Sequence, residues 1–242
     1  KSPPDGHTLL LAGPPNAINI SLMSKLPYDF MADFTPLVLA TRVPNVLSVH
    51  PSLPARTVTE LIALAKARPG QLSFASGGLG SANQMAGELF KINAKINIVH
   101  VPYKGSAPAI VDTIGGQVEL LFAGISSLLP HINSGRLRPL ATGSTQRLPM
   151  IPEVATFIEL GYPEMTTSVW FGFMAPAATP RNIVARLNAD MNAVLTRPEV
   201  REQLIADGQE PGGGTGDEFE AFLRNEIAKY AKVIKLAGIR QE

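Results

Sequence analysis

The sequence predicts an α/β protein whose central part is a mostly parallel sheet flanked by helices. Three observations predict it. Short apolar runs suited to buried strands alternate with stretches whose apolar residues recur at helical spacing. The runs at 72–74, 96–101 and 118–122 are each followed by such a helix, at 82–92, 107–114 and 126–133. Loops of small residues follow the runs, and 45% hydrophobic against 17% charged residues over 242 positions suits a packed globule rather than a disordered chain.

In order, Asp5-Gly6 marks a turn and HTLLLA (7–12) a buried strand, bounded by Gly13-Pro14-Pro15. The segment 14–24, rich in Asn and Ser, reads as a loop; Asn16 and Asn19 could face a ligand or simply form turns. LVLATRVPNVLSV (37–49) is a long strand interrupted by Pro44, which suits an edge strand or one that bends on leaving a sheet. We read it as a crossover between two domains. Thr57 with Glu60 is a capping box, opening a helix that stops at Pro69-Gly70.

Arg138–Thr142 is a further strand, and Phe157-Ile158 before Gly161 a short helix and its stop. SVWFGFM (168–174) is aromatic and β-like, the return crossover, where Trp170 could pack at the hinge or offer an aromatic platform. Thr179 as N-cap with Pro180 at the first turn opens helix 180–196, whose Ile183, Leu187, Met191 and Leu195 form a core stripe. Pro198 opens another helix, Gly212-Gly213-Gly214 is a flexible loop, and Thr215 with Glu218 caps the last helix.

The richest stretch is QLSFASGGLGSANQMAGELFK (71–91): a strand, a glycine turn, then Ser81 with Gln84 in a capping-box pattern. An open helix start there offers unpaired N–H groups and about half a positive charge, which attract carboxylate or phosphate. The same stretch equally suits an ordinary strand-to-helix turn. It is not a dinucleotide fingerprint, since Asn83 stands where G-x-G-x-x-G needs its third glycine, and no phosphate-binding P-loop sequence occurs. Four small-residue loops, 13–19, 76–83, 103–106 and 123–127, follow strands, where open α/β sheets bind ligands.

Other chemistries lack their residues. A net charge of +1 gives no general affinity for nucleic acid, and a regulator would need a helix-turn-helix and a basic face. The chain has no cysteine, hence no disulfide or thiolate site, and no apolar run long enough to span a membrane. No G-x-S-x-G elbow accompanies the serines, and His7, His50, His100 and His131 lack metal-site spacing. Lys104, beside Gly105-Ser106, could pair with an anion or stay solvated.

Several motifs occur in order: PDGHTLL (4–10), LPYD (26–29), FTP (34–36), ARPG (67–70), HVPYKG (100–105), GQV (116–118) and WFG (170–172). Together they closely resemble the substrate-binding proteins of tripartite tricarboxylate transporters, the bacterial group often called Bug proteins. The resemblance covers essentially the whole chain. It implies a two-lobed, type II periplasmic binding protein fold with crossover strands as hinge, each lobe a mostly parallel sheet flanked by helices. One lobe would comprise residues 1–46 with 166–242, the other 47–165.

It further implies a periplasmic, monomeric receptor with no catalytic residue, metal or cofactor. Its ligand would be a small organic anion, a di- or tricarboxylate or an aromatic acid, held between the lobes and delivered to the membrane component of the transporter. A sensing module without transport, or a small-carboxylate hydrolase, are the alternatives. Matched to the family pattern, Asn16 and Ala17, Ser81, Ala82 and Asn83, and Thr166, Thr167 and Ser168 are ligand-binding residues; Gly78, Lys104 and Gly124, in the loops that follow the strands, are added to them from their position. Two departures stand out. Against the family pattern the given sequence is expected to open just before the second strand, without the first strand and its Pro-Gly-Gly loop, and Ala123-Gly124 replaces an Asp-Asn pair common in the family. The second leans away from amino acids and toward plain carboxylates.

Overall fold

Strand and helix alternate because apolar runs end in turns rich in glycine and proline from which helices start, with Thr57, Ser81 and Thr215 each capping a start through its side chain. The structure is a computed structural model and describes residues 2–239. It divides into two units, Lys1–Arg42 with Trp170–Glu242, and Val43–Val169. Both divisions fall inside strands, one in β2 (Phe34–Val49) and one in β7 (Ser168–Pro176). Pro44 does not interrupt β2. The pairing of β2 with β8 (Glu210–Gly213) reaches Arg42, and its pairing with β5 (Leu120–Gly124) begins at Asn45. Pro44 lies in neither of these two ladders, so its missing N–H leaves both intact.

In the first unit, β1 (Leu10–Ala12) pairs antiparallel with β7, and β8 pairs antiparallel with β2. Several expectations change here. The strand at 7–12 is three residues long, and Leu11 is 55% exposed rather than buried. Residues 14–22 form a helix, α1 (Pro14–Leu22), not a loop. Two prolines at the first helical positions suit a helix start, because their fixed φ is already helical and their missing N–H would have had no partner. Gly212–Gly213 belongs to β8 rather than to a flexible loop. A Cβ on Gly212 would collide with the Leu39 carbonyl, so glycine is what admits the strand there.

Helix α6 (Arg181–Leu195) starts one residue later than expected, with Pro180 as N-cap and the Thr179 hydroxyl taking no part. Its stripe is not core, for no residue of α6 is buried. After α7 (Pro198–Ala206), helix α8 (Gly216–Ala237) carries the expected Thr215–Glu218 capping box and packs on α1. Trp170 is core: fully buried, it meets Phe219 and Phe222 of α8 edge-on at 6.1 and 5.5 Å.

In the second unit, β3 (Ser73–Ser76) lies between β4 (Val99–Pro102) and β5, parallel to both. Beyond β5 come β2 and then β6 (Arg138–Thr142), each antiparallel to its neighbour, so β6 runs the same way as β5. Four strands thus point one way and β2 the other. The helices α2 (Val58–Ala67), α3 (Ala82–Ala94), α4 (Ser106–Ile114) and α5 (Ile125–Asn133) cover the sheet. Gly87 lets α3 lie directly on the Phe74 ring, where any Cβ would overlap it. Phe90 of α3, Phe122 of β5 and Phe157 pack ring on ring at 5.9–6.4 Å. The opposite face buries Ala75, Leu121 and Ala123 against Ile110 and Leu128. Residues 157–161 form turns rather than a short helix. Among the described residues no helix is long and apolar enough to cross a membrane.

Candidate functional site

The carboxyl ends of β3, β4 and β5 each run into a helix, so α3, α4 and α5 all begin at one edge of the second unit's sheet. Helix starts gathered at one edge add their partial positive charges there. Backbone bonds tie two of the connecting loops together: Tyr103 N–H donates to the Ser76 carbonyl at 3.1 Å, and Gly105 N–H to that of Gly77 at 3.0 Å. Gly78 has φ 119°, and a Cβ there would stand 2.7 Å from the Tyr103 carbonyl oxygen. Both the backbone conformation and the close approach require glycine.

Ser81 caps α3. Its Oγ accepts from Gln84 N–H at 3.2 Å and donates to the Gly78 carbonyl at 2.7 Å. The Gln84 side chain accepts from Gly80 N–H at 2.8 Å instead of closing the expected box on Ser81. The Ser81 hydroxyl is therefore committed to the turn. The Ala82 and Asn83 amides donate to nothing among the described residues. Ala82 and Asn83 are 7% and 5% exposed, while Gly77, Gly78 and Ser81 are half-buried and give the tip its surface. The Asn83 side chain donates to Ser106 Oγ at 3.1 Å, holding the starts of α3 and α4 together.

The other expected residues fall as follows. Gly124 ends β5 and is the N-cap of α5. Lys104 is exposed in the β4–α4 loop, in no ion pair among the described residues. Thr166 donates to the Pro163 carbonyl, closing the short 3-10 turn Pro163–Met165. Thr167 is buried with an unpartnered Oγ1, and Ser168 is half-buried at the start of β7. Asn16 and Ala17 belong to the first unit. Asn16 Oδ1 accepts from Gly13 N–H at 2.9 Å as a helix cap, and Ala17 is wholly covered.

Asn45 did not stand out in the sequence. Its side chain is buried and both its polar atoms lack partners. The only hint was one amide set in an apolar strand next to Pro44.

His100 fixes the turn from below. Its Nε2 lies 2.6 Å from Ser76 Oγ, and its ring stacks on Phe74 at 4.9 Å. Burial first, and the nearby Lys91 charge second, lower its pKa from 6.5 to about 4. The unfolded chain therefore takes up a proton near pH 6.5 that the folded chain refuses until about pH 4. Stability is expected to be full above pH 6.5 and to fall as the pH drops toward 4. His100→Gln should flatten that fall; urea midpoints at pH 7.5 and 4.5 measure it, and an unchanged slope in the variant would exclude His100 as its source.

Comparison with known proteins agrees with this architecture. The family model described as "Tripartite tricarboxylate transporter family receptor" matches residues 1–239. The chain belongs to that receptor family. It is 40% identical to Protein BugT of Bordetella pertussis over 242 residues, covering 99% of this chain and 74% of that one. It superposes on R. palustris Rpa4515, solved with adipate, with a TM-score of 0.90 at 38% identity, covering 99% of this chain and 81% of that one. MatC from Rhodopseudomonas palustris, solved with bound malate, gives 0.84 at 28% identity, with 96% and 81% covered. As a tripartite tricarboxylate transporter receptor, the chain is a solute-binding protein with a periplasmic binding protein fold, not an enzyme.

Proposed function

We propose that this receptor works outside the cytoplasm, binds a small organic carboxylate, and hands it to the membrane component of a tripartite tricarboxylate transporter. The observation that carries the reading is the start of α3, where the Ala82 and Asn83 amides have no acceptor in the protein and the starts of α4 and α5 share the same sheet edge. Unpaired donors at a helix start hold an anion through charge-assisted hydrogen bonds. The adipate and malate held by two structural neighbours support a carboxylate as that anion. Ser81 and Gly78 shape the turn that presents the amides, and Lys104, Gly124, Thr166, Thr167 and Ser168 supply the surrounding polarity. Asn16 and Ala17 are proposed as a contribution from the first unit.

A thermal-shift screen of organic acids tests the reading. A ligand present at one hundred times its Kd adds about 2.7 kcal/mol of stability, a shift readily seen. Stabilisation by particular di- or tricarboxylates, and none by neutral analogues of the same length, is expected. A screen in which no carboxylate stabilises the protein would reject it.

A further inference from the structure

The buried amide of Asn45 is the most demanding group in the second unit. Asn45 is 1% exposed, and neither Nδ2 nor Oδ1 has a hydrogen-bond partner; the Oγ1 of Thr167 is in the same state. Buried polar side chains are nearly always paired, because an unpaired one keeps its full desolvation penalty. The two residues are neighbours: Asn45 N–H donates to the Thr167 carbonyl at 3.0 Å, Thr167 N–H to that of Gly143 at 3.0 Å, and Gly143 N–H to that of Asn45 at 2.7 Å.

Strand parity places the Asn45 side chain. Asn45 pairs with Gly124 and Leu47 with Phe122, so Asn45 and Phe122 lie on one face. Phe122 packs on Phe90, so that face is the one α3 covers. Asn45 lies two residues beyond the Phe122 register, about 7 Å toward the carboxyl edge. The start of α3 at Ala82 lies eight residues before Phe90, about 12 Å toward the same edge. The free amides thus overhang the Asn45 level by about 5 Å, the scale of one functional group. The turn that precedes Thr167 also packs on α3.

An amide side chain offers two donors and one acceptor. Carboxylate oxygens only accept, so a carboxylate can satisfy Nδ2 and the Thr167 O–H but leaves Oδ1 bare. A hydroxyl next to the carboxylate both accepts from Nδ2 and donates to Oδ1. We infer that Asn45 and Thr167 read a hydroxyl carried beside the captured carboxylate, so that the receptor favours a hydroxy-dicarboxylate over the unsubstituted acid of equal length. The inference rests on carboxylate capture at the start of α3.

Calorimetry with matched acids tests it: 2-hydroxysuccinate against succinate and 2-hydroxyglutarate against glutarate, with the 2-amino acids as a third arm. Wild type is expected to bind the hydroxy acid of one pair at least about 10-fold more tightly than its partner, since a site built to hydrogen-bond an O–H rejects the analogue lacking it. Asn45→Leu and, separately, Thr167→Val should each reduce that ratio to about 3-fold or less while weakening the unsubstituted acid little. Thermal unfolding of both variants checks that they fold, and Thr167→Val serves alone if Asn45→Leu does not. A ratio near one in wild type, a ratio kept in a folded variant, tighter binding of the amino acid, or failure of both pairs while another carboxylate binds would each overturn the inference and leave carboxylate capture standing. Failure of every carboxylate would overturn both.

Discussion

Trp170→Ala is expected to destabilise the protein by about 3–5 kcal/mol, the range for emptying a buried aromatic site. Trp170 is fully buried and is gripped edge-on by Phe219 and Phe222. Its indole Nε1–H also donates to Glu226 Oε2 at 3.1 Å. Glu226 is itself buried and paired with Lys229, so the truncation removes a donor from a buried carboxylate as well as opening a cavity. Trp170→Phe keeps an aromatic ring and loses the hydrogen bond, and should cost less. Urea unfolding of the three proteins measures both differences. A loss below about 1 kcal/mol for Trp170→Ala would mean that α8 is not held as described.

Ala82→Pro is expected to weaken carboxylate binding by about 1.5–3 kcal/mol, or about 10- to 150-fold in Kd. Ala82 is the first residue of α3, where proline is well tolerated. The preceding residue must avoid the helical region, and Ser81 already has φ −85° and ψ 152°. The substitution therefore deletes one free amide and places the ring where the anion would sit, with the helix otherwise kept. Ala82→Gly retains the N–H and should bind nearly as wild type does. Calorimetry with an acid found in the thermal-shift screen reads the difference; equal affinity of the proline and glycine variants would take the amide out of the site.

The central sheet could be read from the chain because its signals are local and agree. Phe74, Phe90 and Phe122 mark one face, and the turns at Gly77–Gly80 and Gly115-Gly116 end their elements where expected. Ser81 capped its helix for the reason the sequence suggested, through the Gln84 amide. Helix α1 is hard to see in the sequence because its Asn residues favour turns, and Gly13-Pro14-Pro15, which bounds the preceding strand, is also the stronger signal of a helix start. The stripe of α6 has the right spacing for a core helix, yet spacing says only that residues share a face, not what covers that face.

Within the second unit, Gly78, Ser81, Lys104 and Gly124 share one sheet edge because loop position follows from strand order, whereas Asn16 and Ala17 belong to the first unit. Asn45 was not found that way. It lies inside a strand, and its importance comes from tertiary burial that leaves its amide unpaired, which no spacing in the sequence records.

The most direct test follows the two amides themselves. Backbone amide NMR shifts, recorded while a stabilising dicarboxylate is titrated in, should move most at Ala82 and Asn83, saturating with the Kd that calorimetry gives. Saturable binding that leaves both signals in place would contradict the account, because the anion would then be held somewhere other than at the start of α3.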